Sequence, residues 1–186
     1  KASLFERRIV LLIGDINEQK ASEAKGALTE LSLSSPEKEI FLYLNSNGGD
    51  VDSGLGLYDF ITLFLKAPVI GIVGAKCLSM ALIVLQACAK RIAAPNSIFC
   101  IHSVFTEVQI LYNATFHTRM REIKHDLNVS FQKGNKILEK HSKISLIDIK
   151  KLSLAKNGIG TTFFADKALK MGLIDTIAKG SEYKIF

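Results

Sequence analysis

Cysteine is scarce in this chain and its spacing offers no pairs. Cys77, Cys88 and Cys100 are odd in number, none forms a CxxC motif, and all three sit among apolar residues. That pattern speaks against a disulfide framework and reads as three buried free thiols of a reducing compartment. A membrane-spanning run is also missing. The stretch that raises the question, Cys77–Ala89, is 13 residues without a charge and contains Ser79 and Gln86, whereas a span needs ~20 residues. It reads as a buried core helix. Aromatic residues make up only 8% of the chain, and none forms a platform interleaved with the basic residues. The net charge of +6 is therefore a dispersed, lysine-rich surface rather than a nucleic-acid site. Repeats, low-complexity segments and interdomain linkers are absent from the sequence, and no secretory leader is read at Lys1.

What is present suits one globular domain: 186 residues, 48% hydrophobic and 23% charged, enough to build a sizeable core. Leu4 to Arg8 reads as the tail of a helix and Ile9–Ile13 as a short strand. Asn17 to Leu33 carries Ala21, Ala24, Ala27, Leu28 and Leu31 on one helical face,. Ile40–Leu44 and Val69–Val73 are continuous apolar runs suited to buried strands, with a helix from Ser53 to Leu65 between them. Strand, helix and strand alternate, so the fold class is α/β. Phe105–Leu111 reads as extended. From Asn113 to Glu139, Phe116, Met120, Ile123, Leu127, Phe131 and Leu138 step mostly by three or four, a one-sided stripe on a helix of about seven turns. A stripe that long in so small a domain predicts a contact between subunits, with packing inside the monomer as the competing reading. Ser145 and Asp148 have the spacing of a capping box, and Asn157–Gly160 reads as a turn. A short helix, Ala165–Met171, precedes a last strand, Leu173–Ile177.

The chemistry concentrates between Gly74 and His102. Ser79 follows a glycine turn and opens an apolar helix, and His102 closes a strand-like segment 23 residues later. Acyl transfer by serine needs a base, backbone N–H donors for the oxyanion and a group that orients the base. At a turn-to-helix junction the Met80 N–H has no partner within the helix, and the Gly48-Gly49 pair can bring a second N–H close. Each signal alone has a plainer reading: Ser79 as a helix N-cap and His102 as a structural strand-end residue. Leu78 and Met80, flanked by Cys77 and Ala81, do not match the Gly-x-Ser-x-Gly elbow.

Five blocks in order resemble the proteolytic subunit of the Clp protease, ClpP. Leu42-Tyr-Leu-Asn-Ser-Asn-Gly-Gly-Asp50 is similar to its Tyr-Ile-Asn-Ser-Pro-Gly-Gly turn, with Asn47 for proline. Gly54 to Asp59 resembles its Ala-Gly-x-x-Ile-Tyr-Asp helix. Gly74-Ala-Lys-Cys-Leu-Ser-Met-Ala81 resembles the nucleophile block, Arg91 to His102 the block of the base, and Ala165 to Asp175 the closing block.

The resemblance implies a ClpP/crotonase-type fold of repeated β-α-β units with a long protruding helix. It divides residues 1–186 into a head, about 1–104 and 142–186, and a handle, about 105–141. It implies a serine endopeptidase with Ser79 as nucleophile, His102 as base and the amides of Gly49 and Met80 as oxyanion hole. Neither a cofactor nor a metal is expected. The implied partners are other copies or a paralogous subunit in stacked heptameric rings, an AAA+ Clp unfoldase and unfolded polypeptides, with neither nucleic acid nor membrane. The implied location is bacterial cytoplasm or an organelle matrix or stroma.

The chain also departs from the family. The family's third catalytic residue, an aspartate, falls on Gly160 when counted back without a gap from Gly172. Asn157 is the candidate substitute. Leu78 stands where the family has alanine and is expected to crowd the site. These departures support an alternative, a catalytically impaired ClpR-like structural subunit of a mixed ring. An acyl-CoA enzyme on the related crotonase fold explains the glycines but not Ser79 with His102.

Overall fold

The computed structural model describes residues 3–105, 112 and 114–180. In chain order, β1 (Ile9–Ile13) is followed by α1 (Glu18–Ser34), β2 (Ile40–Ser46), α2 (Val51–Asp59) and β3 (Val69–Leu78). Then come α3 (Met80–Leu85), β4 (Lys90–Ala93) and β5 (Ile98–Ile101). The long α4 (Phe116–His141), α5 (Leu146–Leu154), β6 (Thr161–Phe164), α6 (Ala165–Lys170) and β7 (Thr176–Ile177) complete the order. Strands β1, β2, β3, β4 and β7 lie side by side in parallel. This is the α/β architecture that the alternating pattern predicts.

One strand positions the site. The first half of β3 pairs with β4, from Ile70 opposite Lys90 to Val73 opposite Ala93. Its second half leaves β4 and pairs in parallel with β5, from Lys76 opposite Ile98 to Leu78 opposite Cys100. β5 in turn takes β6 as an antiparallel neighbour. β3 is thus five residues longer than its apolar run, Val69–Val73. The extension is carried by hydrogen bonding to a second partner, which hydropathy does not report. Gly74 lies where the strand changes partners, and a Cβ there would overlap the hydroxyl of Tyr43.

The helices follow local chemistry. Asn17 caps α1 by accepting from the Lys20 N–H at 2.9 Å, and Asp50 caps α2 by accepting from the Ser53 N–H at 2.8 Å,. The Asp50 cap starts α2 at Val51 rather than Ser53, and α2 runs on into a wider π-helical turn over Phe60–Phe64. Ser145 caps α5 at Asp148, as its spacing predicts. Leu4 to Arg8 forms turns, not the end of a helix. The Arg8 guanidinium donates to the carbonyls of Leu31 at 2.9 Å and Ser35 at 3.0 Å, closing the C-terminal end of α1. Of Leu173–Ile177 only Thr176 and Ile177 pair as a strand, whereas Leu173 and Ile174 are buried without doing so. The segment Phe105–Leu111 lies, apart from Phe105, outside the described residues.

All six residues of α3 are buried, so the charge-free stretch does hold a core helix, but a shorter one than expected: of Cys77–Ala89 only Met80–Leu85 is helical, and Cys77 and Leu78 belong to β3. Full burial of each such leucine or isoleucine is worth about 2 kcal/mol. In α4, by contrast, only Asn135 and Leu138 of 26 residues are buried. Ile123, Leu127 and Phe131 are half-covered, and Met120 is 42% exposed. The monomer therefore seats the last turns of a helix about 39 Å long and leaves much of its stripe open.

Candidate active site

The pairing of β3 with β5 brings their ends together. One residue past the pair of Leu78 and Cys100, the Ser79 N–H donates to the Cys100 carbonyl at 3.0 Å. Ser79 then turns the chain into α3 with φ 53° and ψ −125°, a region that L-residues adopt at a cost of ~1–3 kcal/mol. Its side chain makes no capping hydrogen bond to the helix. The plain reading of Ser79 as an N-cap therefore fails. Its strained backbone belongs instead to a sharp strand-to-helix turn, and among the described residues the hydroxyl has no hydrogen-bond partner.

Ser79 and His102 line one cavity of about 50 Å³, together with Met80 and Ile83 of α3 and Phe131 and Asn135 of α4. Leu78, expected to crowd the site, is not among its lining residues. Around the cavity mouth lie two larger hollows. One, about 650 Å³, runs past His102, Phe105 and Asn157; the other, about 320 Å³, lies between Gly49–Val51 and Ile123–Ser130. Both share Val104 and Phe105, and the Phe105 ring lies 5.6 Å from the His102 ring.

The oxyanion candidates are held by the turn after β2. The Ile16 N–H donates to the Gly48 carbonyl at 2.7 Å, and the Asp50 N–H donates to the Ile16 carbonyl at 2.8 Å. These two bonds straddle Gly49 and leave its N–H unused. Neither the Gly49 N–H nor the Met80 N–H has a partner among the described residues. Gly48 brings this turn against the serine: a Cβ there would stand 2.7 Å from Ser79 Cβ and 3.0 Å from the Met80 nitrogen, at φ 101°. Only glycine fits that approach. The Ser46 hydroxyl steadies the turn by accepting from the Gly48 N–H at 3.0 Å.

The group that orients the histidine is not the one the family pattern suggests. His102 Nδ1 lies 2.5 Å from the backbone carbonyl oxygen of Ser103. A carbonyl can only accept, so Nδ1 carries the proton, and in the neutral ring Nε2 is the open, basic nitrogen. Ser103 is itself fixed: its N–H donates to the Gly158 carbonyl at 3.2 Å, and its hydroxyl donates to the Ser153 carbonyl at 3.3 Å. Asn157 borders the groove with φ 58° but makes no hydrogen bond to His102. Gly160, at φ 90°, packs directly against the strand end. A Cβ on it would overlap the Ile101 carbonyl and stand 2.5 Å from His102 Cβ and 2.6 Å from His102 Cα. Gly160, where the resemblance implies an aspartate, thus lies as a backbone prop against His102. Among the described residues no carboxylate bonds to His102, and Ser79 Oγ makes no hydrogen bond to it.

Two groups at this site escaped the sequence reading. The Ser103 carbonyl is a backbone atom, so residue type carries no trace of it. Asn135 was readable in principle, since it lies between Phe131 and Leu138 on the apolar stripe of α4, where a polar residue is out of place.

Away from the site, Arg91 joins three elements. It donates to both carboxylate oxygens of Asp175, with Nη2 at 2.6 Å from Oδ1, and to the His141 carbonyl at 2.9 Å. Its Nη1 also bonds Gln86 Oε1. Burial pushes the Asp175 carboxyl up, but the Arg91 hydrogen bonds and charge outweigh this and hold it below the usual range. His141 Nε2 lies 2.7 Å from the Tyr58 hydroxyl, and burial, with Lys140 and Arg91 nearby, lowers its pKa. No group of three or more metal-ligating side chains and no helix long and apolar enough to cross a membrane occurs among the described residues.

The Clp protease family model matches residues 1–181, a span that includes the split strand, the strained serine turn, the strand-end histidine and the closing block. With the whole of the described fold inside that match, this chain belongs to the Clp protease family.

Proposed function

We propose that this chain is a serine endopeptidase subunit of a self-compartmentalised, ATPase-dependent Clp-type protease, cleaving unfolded polypeptides with Ser79 and His102. The observation that carries the reading is the hydrogen bond from His102 Nδ1 to the Ser103 carbonyl, which leaves Nε2 as the acceptor a serine needs. In this mechanism Nε2 takes the hydroxyl proton as Ser79 Oγ attacks the peptide carbonyl carbon. The N–H groups of Gly49 and Met80 donate to the oxyanion. His102 then returns the proton to the leaving amine, and water activated by the same ring hydrolyses the acyl-enzyme. Catalytic hydrogen bonds commonly tighten only when substrate binds, which accommodates the open Ser79–His102 pair. A carbonyl fixes the tautomer but brings no full negative charge to stabilise the imidazolium, so turnover is expected below that of a complete triad.

Membership of the Clp protease family supports the rest of the reading. The open stripe of α4 is the surface on which two heptameric rings stack, and an AAA+ Clp unfoldase feeds the chamber. Reduced Cys77, Cys88 and Cys100 suit a cytoplasm, matrix or stroma. One observation favours a second reading, a ClpR-like subunit that needs an active neighbour: no carboxylate reaches His102 among the described residues.

The experiment is degradation of fluorescent unfolded casein by the purified chain with a Clp ATPase and ATP, alone and mixed with a paralogous subunit. The wild-type chain alone is expected to degrade casein, and Ser79→Ala and His102→Ala to abolish it. Degradation only in the mixture, indifferent to Ser79→Ala, would replace the first reading with the second. Light scattering is expected to report a multi-subunit particle; a strict monomer would remove the ring reading.

A further inference from the structure

The last turn of α5 ends beside His102, and side chains near the histidine satisfy it. A helix leaves its final carbonyls without partners of its own. Here the Leu152 carbonyl accepts from the Thr161 hydroxyl at 3.0 Å, and the Ser153 carbonyl accepts from the Ser103 hydroxyl at 3.3 Å. The Leu154 carbonyl accepts from the Gly158 N–H at 3.2 Å. The two hydroxyls come from either side of His102. Ser103 follows it in the chain, and Thr161 on β6 pairs with Ile101, the residue before it. Ser103 commits both of its donors to this loop, since its N–H goes to the Gly158 carbonyl at 3.2 Å. Its carbonyl is the polar group that remains, and that group meets His102 Nδ1. Capping explains why α5 needs donors here: Ser153 is 0% exposed, and a buried carbonyl left unmet is costly,. Capping alone does not explain why the hydroxyls come from the two positions that frame the histidine.

We propose that Ser103 and Thr161 are positioning residues: their hydroxyls tie the segments around His102 to the buried end of α5, and this tie aims the Ser103 carbonyl at Nδ1. The inference rests on the reading of Ser79 as nucleophile and His102 as base. Aim matters because a neutral imidazole carries its one ring proton on either nitrogen. A ring protonated on Nε2 cannot take the proton of the serine, and in the type case the wrong tautomer costs up to ~10⁴ in kcat. An aspartate side chain fixes the tautomer by itself. A backbone carbonyl does so only while its own residue is held, and Ser103 is held by α5. Removing one tethering hydroxyl is therefore expected to lower kcat about fivefold. KM is expected to stay unchanged, because neither Ser103 nor Thr161 lines the cavity that holds Ser79.

The test uses the intact assembly and a short fluorogenic peptide. Ser103→Thr keeps a hydroxyl and Ser103→Val has the same shape without one, so the pair separates the hydrogen bond from side-chain volume. Thr161→Val repeats the loss on the other side of His102. Each valine variant is expected to lower kcat about fivefold at constant KM, and Ser103→Thr to stay within about twofold of wild type. Ser32→Ala removes a buried hydroxyl that accepts from the Ala67 N–H, next to the start of β3 and away from Ser79. It is expected to lower stability and leave kcat unchanged. The direct readout is solid-state NMR of protein with isotope-labelled histidine, with His102→Ala assigning the ring. Wild type is expected to show one tautomer of His102, protonated on Nδ1, and Ser103→Val a mixture of both. Valine variants with wild-type kcat, or a fall in Ser103→Thr as large as in Ser103→Val, overturn the proposal. It then fails alone if Ser79 still reacts with a fluorophosphonate. If Ser79 is inert in wild type, the reading of Ser79 fails and the ring decides the rest. A mixture of tautomers in Ser103→Val then upholds the positioning role, and an unchanged Nδ1–H tautomer overturns it.

Discussion

Replacing Gly160 with aspartate, the residue the family pattern places there, should damage this protein rather than complete a triad. At φ 90° any side chain is strained, at a cost of ~1–2 kcal/mol. The Cβ would also meet the Ile101 carbonyl and stand 2.5 Å from His102 Cβ. These neighbours are backbone or rigidly attached atoms, so the strand end must shift, which adds ~1–3 kcal/mol. The sum is about 3 kcal/mol, or roughly 9 °C in Tm for a chain of this length. Because the displaced residue is His102, activity should fall further than stability. The assay is thermal unfolding at fixed protein concentration, with peptidase activity read on the same samples, for Gly160→Ala and Gly160→Asp. Gly160→Ala isolates the steric cost, and Gly160→Asp adds the carboxylate. A Gly160→Ala protein as stable as wild type, or a gain of activity in Gly160→Asp, would refute the argument that this loop works as a backbone prop.

Other predictions follow from neighbouring features. Ser79→Gly should be about 1 kcal/mol more stable than Ser79→Ala in denaturant titration, because only glycine relieves the backbone at φ 53°; equal stability would mean that the turn is unstrained. Asp175→Asn should cost about 2 kcal/mol by thermal unfolding, because Arg91, with a side chain only 13% exposed, loses its charged partner. The His141 pKa is lowered by burial and by Lys140 and Arg91, so the unfolded chain binds its proton first. This contribution to stability is present above pH ~6.5 and is lost as pH falls towards the lower folded value. Wild-type Tm should decline over that window, and His141→Gln should flatten the decline.

The parts of this fold that lie in residue patterns were readable before any coordinates. The apolar runs at Ile40–Leu44 and Val69–Val73, the stripe on α4 and the cap at Ser145 all depend on which side chains occur at which spacing. The extension of β3 to Leu78 was not readable, because it comes from pairing with β5 and not from hydropathy. Asp50 moved the start of α2 because a cap outweighs the first apolar position as a boundary signal. The same division runs through the candidate site. Ser79, His102, Gly49 and Met80 could be nominated from residue type and motif, and the structure brings Ser79, Met80 and His102 onto one cavity, with Gly49 on the adjoining hollow. The orienting group could not be nominated, since a search for a third side chain passes over the Ser103 carbonyl. Gly160 shows why alignment by counting misleads here: the position survives, but its backbone, at φ 90° against His102, has no room for the side chain the family uses.

The most direct measurement is labelling of the purified chain with a fluorophosphonate, read by intact-mass and peptide-level mass spectrometry, with Ser79→Ala as control. A serine activated by a base whose tautomer is already set should give a single adduct on Ser79. His102→Ala should abolish the labelling. A chain that forms no Ser79 adduct, alone or with a paralogous subunit and a Clp ATPase present, would contradict the claim that His102, held by the Ser103 carbonyl, makes Ser79 a nucleophile.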